Sequence, residues 1–299
     1  MRTPPADVDV DSGLARRLLS DQHPDLAGLP LALAANGWDN VVFRLGEDLV
    51  LRLPRRIEAA ELIHNEQRWL GAIGARVDVA VPAPLRQGRP TDYYPYPWSV
   101  CAWTDGEAVS EVPVSDRSSL AGDLADFMTQ MHTPAPESAP HNPVRGVPLS
   151  TRDGAMRERL ASGLLPGSDV LGILWNRLRD TAPWDGPSLW IHGDPHPANL
   201  VASRQGGRWR LASVIDFGDL ASGDPATDLS IAWTVFDEAG RELFRRRLAD
   251  HGHADGATWE RARGWALNMG CAMVAHSADN PRMMAIGRHT LEQVLLDEE

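Results

Sequence analysis

Three oxygen-bearing side chains fall at spacings that suit phosphoryl transfer. The stretch Ile191-His192-Gly193-Asp194-Pro195-His196-Pro197-Ala198-Asn199-Leu200-Val201 leads from an apolar strand into a loop carrying an aspartate, with an asparagine five residues beyond it. Val214-Ile215-Asp216-Phe217-Gly218-Asp219 then returns a second aspartate at the end of another apolar strand. Transfer from a nucleotide needs a carboxylate to take the proton of the attacking hydroxyl and hard oxygen ligands to hold Mg2+ across the phosphates. Asp194 suits the first role, and Asn199 with Asp216 the second. His192, Asp194 and His196 also spell a His-x-Asp-x-His set that could be read as a zinc site. The interleaved Pro195 and Pro197, with no further histidine cluster, count against that reading.

The elements that must position these residues fall into two groups. Periodicity predicts a helix over 8–19, then strands over 31–35, 41–45 and 49–53 joined by tight turns at 36–40 and 46–48. A helix over 57–73 and strands near 84–88 and 98–103 complete a small antiparallel lobe, residues 1–104. After Thr104-Asp105-Gly106 the pattern turns helical: 115–132, 152–162, 169–179, 225–237, 241–251, 258–277 and 282–296, with short strands at 188–192, 200–203 and 211–215. The proline-rich stretch 133–148 reads as a surface loop. The expected class is therefore α+β and bilobal, with 105–299 as the larger, mainly helical lobe.

Composition narrows the function. The chain has 299 residues, 29 basic against 41 acidic for a net charge of −12, and 43% of its residues are hydrophobic, enough for one large domain or two modest ones. No apolar run is long enough to span a membrane, and the opening MRTPPADVDVDS lacks the features of a signal peptide, so a soluble cytoplasmic protein with no membrane partner is expected. Two cysteines in dissimilar apolar surroundings exclude a disulfide framework. The acidic balance argues against nucleic acid as a partner. Every basic residue is arginine, which excludes Schiff-base chemistry and a P-loop lysine.

With these motifs the sequence resembles the aminoglycoside phosphotransferase family, small-molecule kinases with a bilobal protein-kinase-like fold. The likeness rests on residues 192–199 and 215–218, on Gly223-Asp224-Pro225-Ala226-Thr227-Asp228-Leu229, and on Leu51-Arg52-Leu53-Pro54 and Asn65-Glu66-Gln67-Arg68-Trp69-Leu70. It implies a Mg2+-dependent O-phosphotransferase using ATP or GTP. Arg52 stands where such enzymes carry a phosphate-gripping lysine, with Glu66, on the apolar face of its helix, as partner ahead of Glu61. A guanidinium can hold phosphate and pair with a carboxylate at once. The turn from Gly37 to Asn40 would lay backbone N–H groups over the phosphates as a short nest. Ala102 C=O and Thr104 N–H would read the base at the hinge. Gly193 replaces the arginine of His-Arg-Asp, and residues 217–223 are too few for an activation loop, so a protein substrate is not expected. Asp224 and Pro225 should start the next helix, and Asp228 should anchor it to the catalytic loop.

The charge is unevenly spread. Residues 1–104 hold 11 arginines against 13 acidic residues, and 105–299 hold 18 against 28. Carboxylates near the transfer site, with Asp219, Asp237 and Glu238 as candidates, would concentrate a cationic acceptor. An aminoglycoside leads, ahead of a macrolide, with a nucleoside-type antibiotic or neutral metabolite as the alternative. Charges that merely solubilise the lobe are the plainer explanation. A catalytically silent nucleotide-binding module is the alternative of a different class.

Overall fold

The computed structural model describes residues 5–249 and 254–297; the end of the helix expected over 241–251 lies outside the described residues. Helix α1 (Ser12–Gln22) starts later than its periodicity suggests, because the Asp11 carboxylate caps it by accepting the Leu14 N–H at 2.7 Å. Strands β1 (Leu31–Asn36), β2 (Asn40–Leu45) and β3 (Leu49–Pro54), helix α2 (Ile57–Gly74), and strands β4 (Pro84–Gly88) and β5 (Trp98–Ala102) follow. The five strands form one antiparallel sheet in the order β1-β2-β3-β5-β4. β3 is central, and Arg52 lies opposite Val42 on one side and Ser99 on the other. Alternation sends Leu51 and Leu53 into a core with Val41, Phe43, Leu45 and Trp98, and turns Arg52 to the other face. On α2 the buried positions Ala59, Ile63, Glu66, Leu70 and Ile73 make one stripe, with a carboxylate in its middle.

The second lobe runs β6 (Glu107–Ala108), α3 (Val114–Arg117), a 3-10 turn, α4 (Ala121–Met131), α5 (Asp153–Ala161), α6 (Ser168–Arg179), β7 (Leu189–Ile191), β8 (Leu200–Gln205), β9 (Arg208–Val214), β10 (Ala221–Gly223), α7 (Ala226–Leu229), α8 (Ile231–Val235), α9 (Glu238–Ala249), α10 (Gly256–His276) and α11 (Pro281–Leu296). Its core holds Trp175, Trp233, Trp265, Phe127, Phe217 and Phe244, all essentially inaccessible. Two expected helices are broken. The segment 115–132 divides into α3, the 3-10 turn and α4, and the segment 225–237 into α7 and α8. Chain between the lobes is also joined through Ala80, whose C=O accepts the Val214 N–H and the Ser213 hydroxyl. Among the described residues no helix is long and apolar enough to cross a membrane.

The 133–148 segment is more than a surface loop. Its backbone pairs with β10 and the start of α7, through Ser222 N–H to Pro140 C=O and Asp224 N–H to Gly146 C=O. It carries two polar side chains inward.

Candidate active site

Asp194 is held by three separate elements. β7 ends at Ile191, and the buried Asp228 of α7 accepts the backbone N–H groups of His192 at 2.7 Å and Gly193 at 2.8 Å, while its carboxylate also meets the His132 ring at 3.1 Å. Gly193 has φ +90°, and a Cβ there would stand 2.3 Å from the Asp219 carbonyl oxygen. No side chain fits where protein kinases carry arginine. Gly193→Ala is expected to cost about 1–3 kcal/mol of stability, and to lower turnover further by moving Asp194; urea unfolding with steady-state kinetics checks both.

His192 ties the loop to the second aspartate: its Nε2 meets the Ile215 C=O at 3.0 Å, and its ring packs on Phe217 with centroids 4.5 Å apart. Its Nδ1 faces the Asp194 N–H at 3.3 Å, so both ring nitrogens are engaged. Among the described residues no group of three His, Cys, Asp or Glu side chains is placed to hold a metal ion. Asn199 donates through Nδ2 to the Asp194 C=O at 3.1 Å, which leaves its Oδ1 free to accept or ligate. Asp216, with φ +63°, is the one non-glycine residue at positive φ among those described, and its carboxylate takes no hydrogen bond there. A free amide oxygen and a free carboxylate suit one Mg2+, which leans on substrate phosphates for its other ligands.

Two cavities meet at this point. One, of about 400 Å³, is lined by Gly37, Asn40, Arg52, Ala102, Thr104, Asn199 and Asp216. The other, of about 850 Å³, takes in Asp194 and Asp219 together with Arg145, Arg152 and Arg159. Trp38, Asp39, Asp216 and Gly218 border both.

Arg52 reaches Glu66 through two hydrogen bonds, Nη1–Oε2 at 2.5 Å and Nη2–Oε1 at 2.9 Å, with the two residues only 7% and 1% exposed. Burial works against the Arg52 charge, but the Glu66 carboxylate, helped by Cys101 and Asp216, outweighs it and holds the guanidinium firmly protonated. Glu61 is exposed and takes no part. The Gly37 nest is narrower than expected: the Gly37 N–H is spent on the Asn40 C=O at 2.9 Å, and only the rest of the turn remains available. The Asn40 Oδ1 is buried without a partner.

The acceptor-side expectations need correction. Asp237 and Glu238 line neither cavity; Asp237 caps α9 by accepting the Gly240 N–H at 2.9 Å, and α9 starts at Glu238. Asp219 does line the larger cavity, yet its carboxylate accepts from Asn142 at 2.7 Å and lies 3.6 Å from Arg145. Arg145 also donates to Asp194 at 2.7 Å. Burial pushes Asp194 up, and the Arg145 charge with His196 and His192 pulls it below the ordinary carboxylate value. The sequence gives no signal for Arg145 or Asn142, since both come from the proline-rich segment. Arg152 and Arg159, seven residues apart across α5, were equally silent.

α5 is fixed against α6 by Asp153, which accepts from Arg157, Trp175 and Arg179 at 2.7, 2.9 and 3.1 Å. Burial alone would raise its carboxyl, but these bonds bring it to about 2. A pKa held below its unfolded value contributes stability above pH 4 that is lost as pH falls toward 2. Solvent screening leaves on the order of 1 kcal/mol. Urea unfolding of wild type and Asp153→Asn at pH 7 and pH 3 should show a difference at pH 7 that shrinks at pH 3.

Residues 31–265 match the model of the APH phosphotransferase enzyme family, and the chain belongs to that family. It is accordingly a phosphotransferase with the α+β, protein-kinase-like bilobal fold. A relative in Bacillus subtilis (strain 168), the uncharacterized protein YcbJ, is 27% identical, with 83% of this chain and 82% of that one covered. The GDP complex of aminoglycoside 2'-phosphotransferase-IIIa superimposes with a TM-score of 0.72 at 19% identity, covering 97% of this chain and 100% of that one. The macrolide 2'-phosphotransferase MphH from Brachybacterium faecium gives 0.61 at 22% identity, with 96% and 98% covered.

Proposed function

We propose that the protein transfers the γ-phosphate of ATP or GTP to a hydroxyl of a small molecule. The observation that carries this reading is the shared wall at Asp216: Arg52 and Asn199 face only the smaller cavity, Asp194 only the larger, and Asp216 borders both. A nucleotide in the first would present its terminal phosphate to an acceptor in the second. Residues 1–104 then hold most of the nucleotide and 105–299 the acceptor.

Asp194 orients the acceptor hydroxyl and takes its proton, and its lowered pKa keeps it ionised for that role. Asn199 and Asp216 would hold Mg2+, which neutralises charge on the phosphates. Arg52, locked by Glu66, presents fixed positive charge to the phosphates, while the Gly37–Asn40 turn covers them and Ala102 and Thr104 offer backbone groups to the base. Positioning and charge supply most of the rate. The short passage from Asp216 to α7 leaves no peptide-docking segment, which supports a small acceptor over a protein.

Summed over the second lobe, the acidic excess favours an amine-bearing acceptor, an aminoglycoside ahead of a macrolide, with a nucleoside-type antibiotic or neutral metabolite next, whereas the guanidinium groups lining the larger cavity favour an anionic one. Asp237 and Glu238 lend this nothing, since they lie off the cavity. A nucleotide-consumption screen across these classes, with Asp194→Ala as the blank, tests the reading. Nucleotide binding with no acceptor-dependent consumption in any class would favour a silent module.

A further inference from the structure

Five aspartates and three arginines line the larger cavity, yet among the described residues two of those arginines have no carboxylate partner. Among the described residues Arg152 has no hydrogen-bond or ion-pair partner, and its Nε is buried. Arg159 makes one hydrogen bond, to the Asn268 Oδ1 at 2.8 Å, and meets no carboxylate. The two stand about two helical turns apart across α5 and line the same cavity. The carboxylates nearby are already committed. Asp194 and Asp219 are held by Arg145 at 2.7 and 3.6 Å, and Asp39 lies 3.4 Å from Arg56. Asp279 is not free either, and on the phosphotransferase reading Asp216 would be taken up by Mg2+.

Burial lowers the pKa of Arg152, and the Arg145 charge lowers it further; Arg159 is lowered by burial and then by Arg152. His276, on the same wall, is lowered by burial and by Arg159. Unneutralised guanidinium groups in a partly desolvated wall are costly unless an anion arrives. An oxyanion matches the planar donor fork of arginine bidentately, whereas an ammonium group would add to the repulsion. Met269, Met273 and Met283 give the rest of the wall an adaptable apolar surface.

Resting on the phosphotransferase reading, we propose that the acceptor is a hydroxyl compound bearing an anionic group, a carboxylate or a phosphate, which docks on Arg152 and Arg159 while the hydroxyl faces Asp194. This replaces the cationic acceptor expected from the charge of the lobe. The lobe's net charge resides largely outside the cavity, and what selects the acceptor is the local charge left unpaired.

The test is thermal unfolding with the nucleotide site filled by Mg2+ and a non-hydrolysable triphosphate, in chloride, acetate or inorganic phosphate at matched ionic strength. Acetate or phosphate should raise the wild-type Tm by about 2–4 °C over chloride. Arg152→Gln should lose that rise while its Tm in chloride is no lower than wild type, because Arg152 has no partner among the described residues to lose. A purely structural arginine would show the reverse. Arg159→Gln, which keeps a donor for Asn268, is the second variant and should lose the same rise. A response to phosphate alone assigns a phosphorylated acceptor, and one to acetate assigns a carboxylate. No rise over chloride, an equal rise in both variants, or stabilisation by kanamycin that grows in Arg152→Gln would overturn the proposal. Failure of the wild type to bind Mg2+-nucleotide in a direct titration would instead strike the phosphotransferase reading itself.

Discussion

Replacing Asp194 by alanine is expected to lower turnover by about 10²–10⁴-fold, while Mg2+-nucleotide affinity stays within about twofold of wild type. The split follows from geometry. Asp194 lines the larger cavity and is absent from the smaller one, where the nucleotide is proposed to bind, and its backbone stays pinned by Asp228 through His192 and Gly193 whatever the side chain. The variant also frees Arg145 from its 2.7 Å contact, so the guanidinium is left to Asp219. Isothermal titration of the nucleotide, alongside nucleotide consumption with a reacting acceptor, measures the two effects separately. Undiminished transfer would show that some other group takes the proton. Asp216→Ala should differ, losing metal-nucleotide affinity together with turnover.

Arg52→Ala should produce the largest loss of stability, about 3–5 kcal/mol, because it strands a carboxylate that is 1% exposed in the apolar stripe of α2. Nucleotide affinity falls as well, since the fixed positive charge at the phosphates disappears. A second substitution, Glu66→Gln, should recover much of the stability and none of the affinity. Arg52→Lys should retain part of both, as a single ammonium can serve one carboxylate oxygen and the phosphates but not with two parallel bonds. Chemical unfolding and calorimetry on the four proteins check this. Equal nucleotide affinity in wild type and Arg52→Ala would mean that the guanidinium serves the fold alone.

What the sequence made legible was whatever is written within one short segment or one period. Asp194, Asn199 and Asp216 sit on two strand ends joined by a hairpin, so their convergence follows from the order of elements. Glu66 interrupts an apolar helical stripe, a local sign that something buried must answer its charge. Element ends were less legible, because single capping side chains set them: Asp11 delays α1, and Asp237 begins α9 where the pattern suggested three more residues of loop. β6 and β10, two and three residues long, are too short to show alternation. The acceptor wall was not legible at all. Arg145 arrives on a proline-rich segment tied down by backbone bonds to β10 and to Asp224 just before α7, Arg152 on the turn leading into α5, and Arg159 on α5 itself, whose apolar face is weak. Charge summed over a lobe pointed toward a cation there, but a sum cannot say which charges are already paired.

The Arg52–Glu66 pair has a practical consequence for anyone trying to find this enzyme in a mixture. Reagents that report kinase nucleotide sites by acylating the phosphate-gripping amine have nothing to modify here, because the chain contains no lysine and a guanidinium with both terminal nitrogens bonded to a buried carboxylate is no nucleophile. Such profiling would count the protein as absent even when its nucleotide site is filled, and ubiquitin or acetyl marks on lysine are equally closed to it. Its occupancy has to be read through the nucleotide instead.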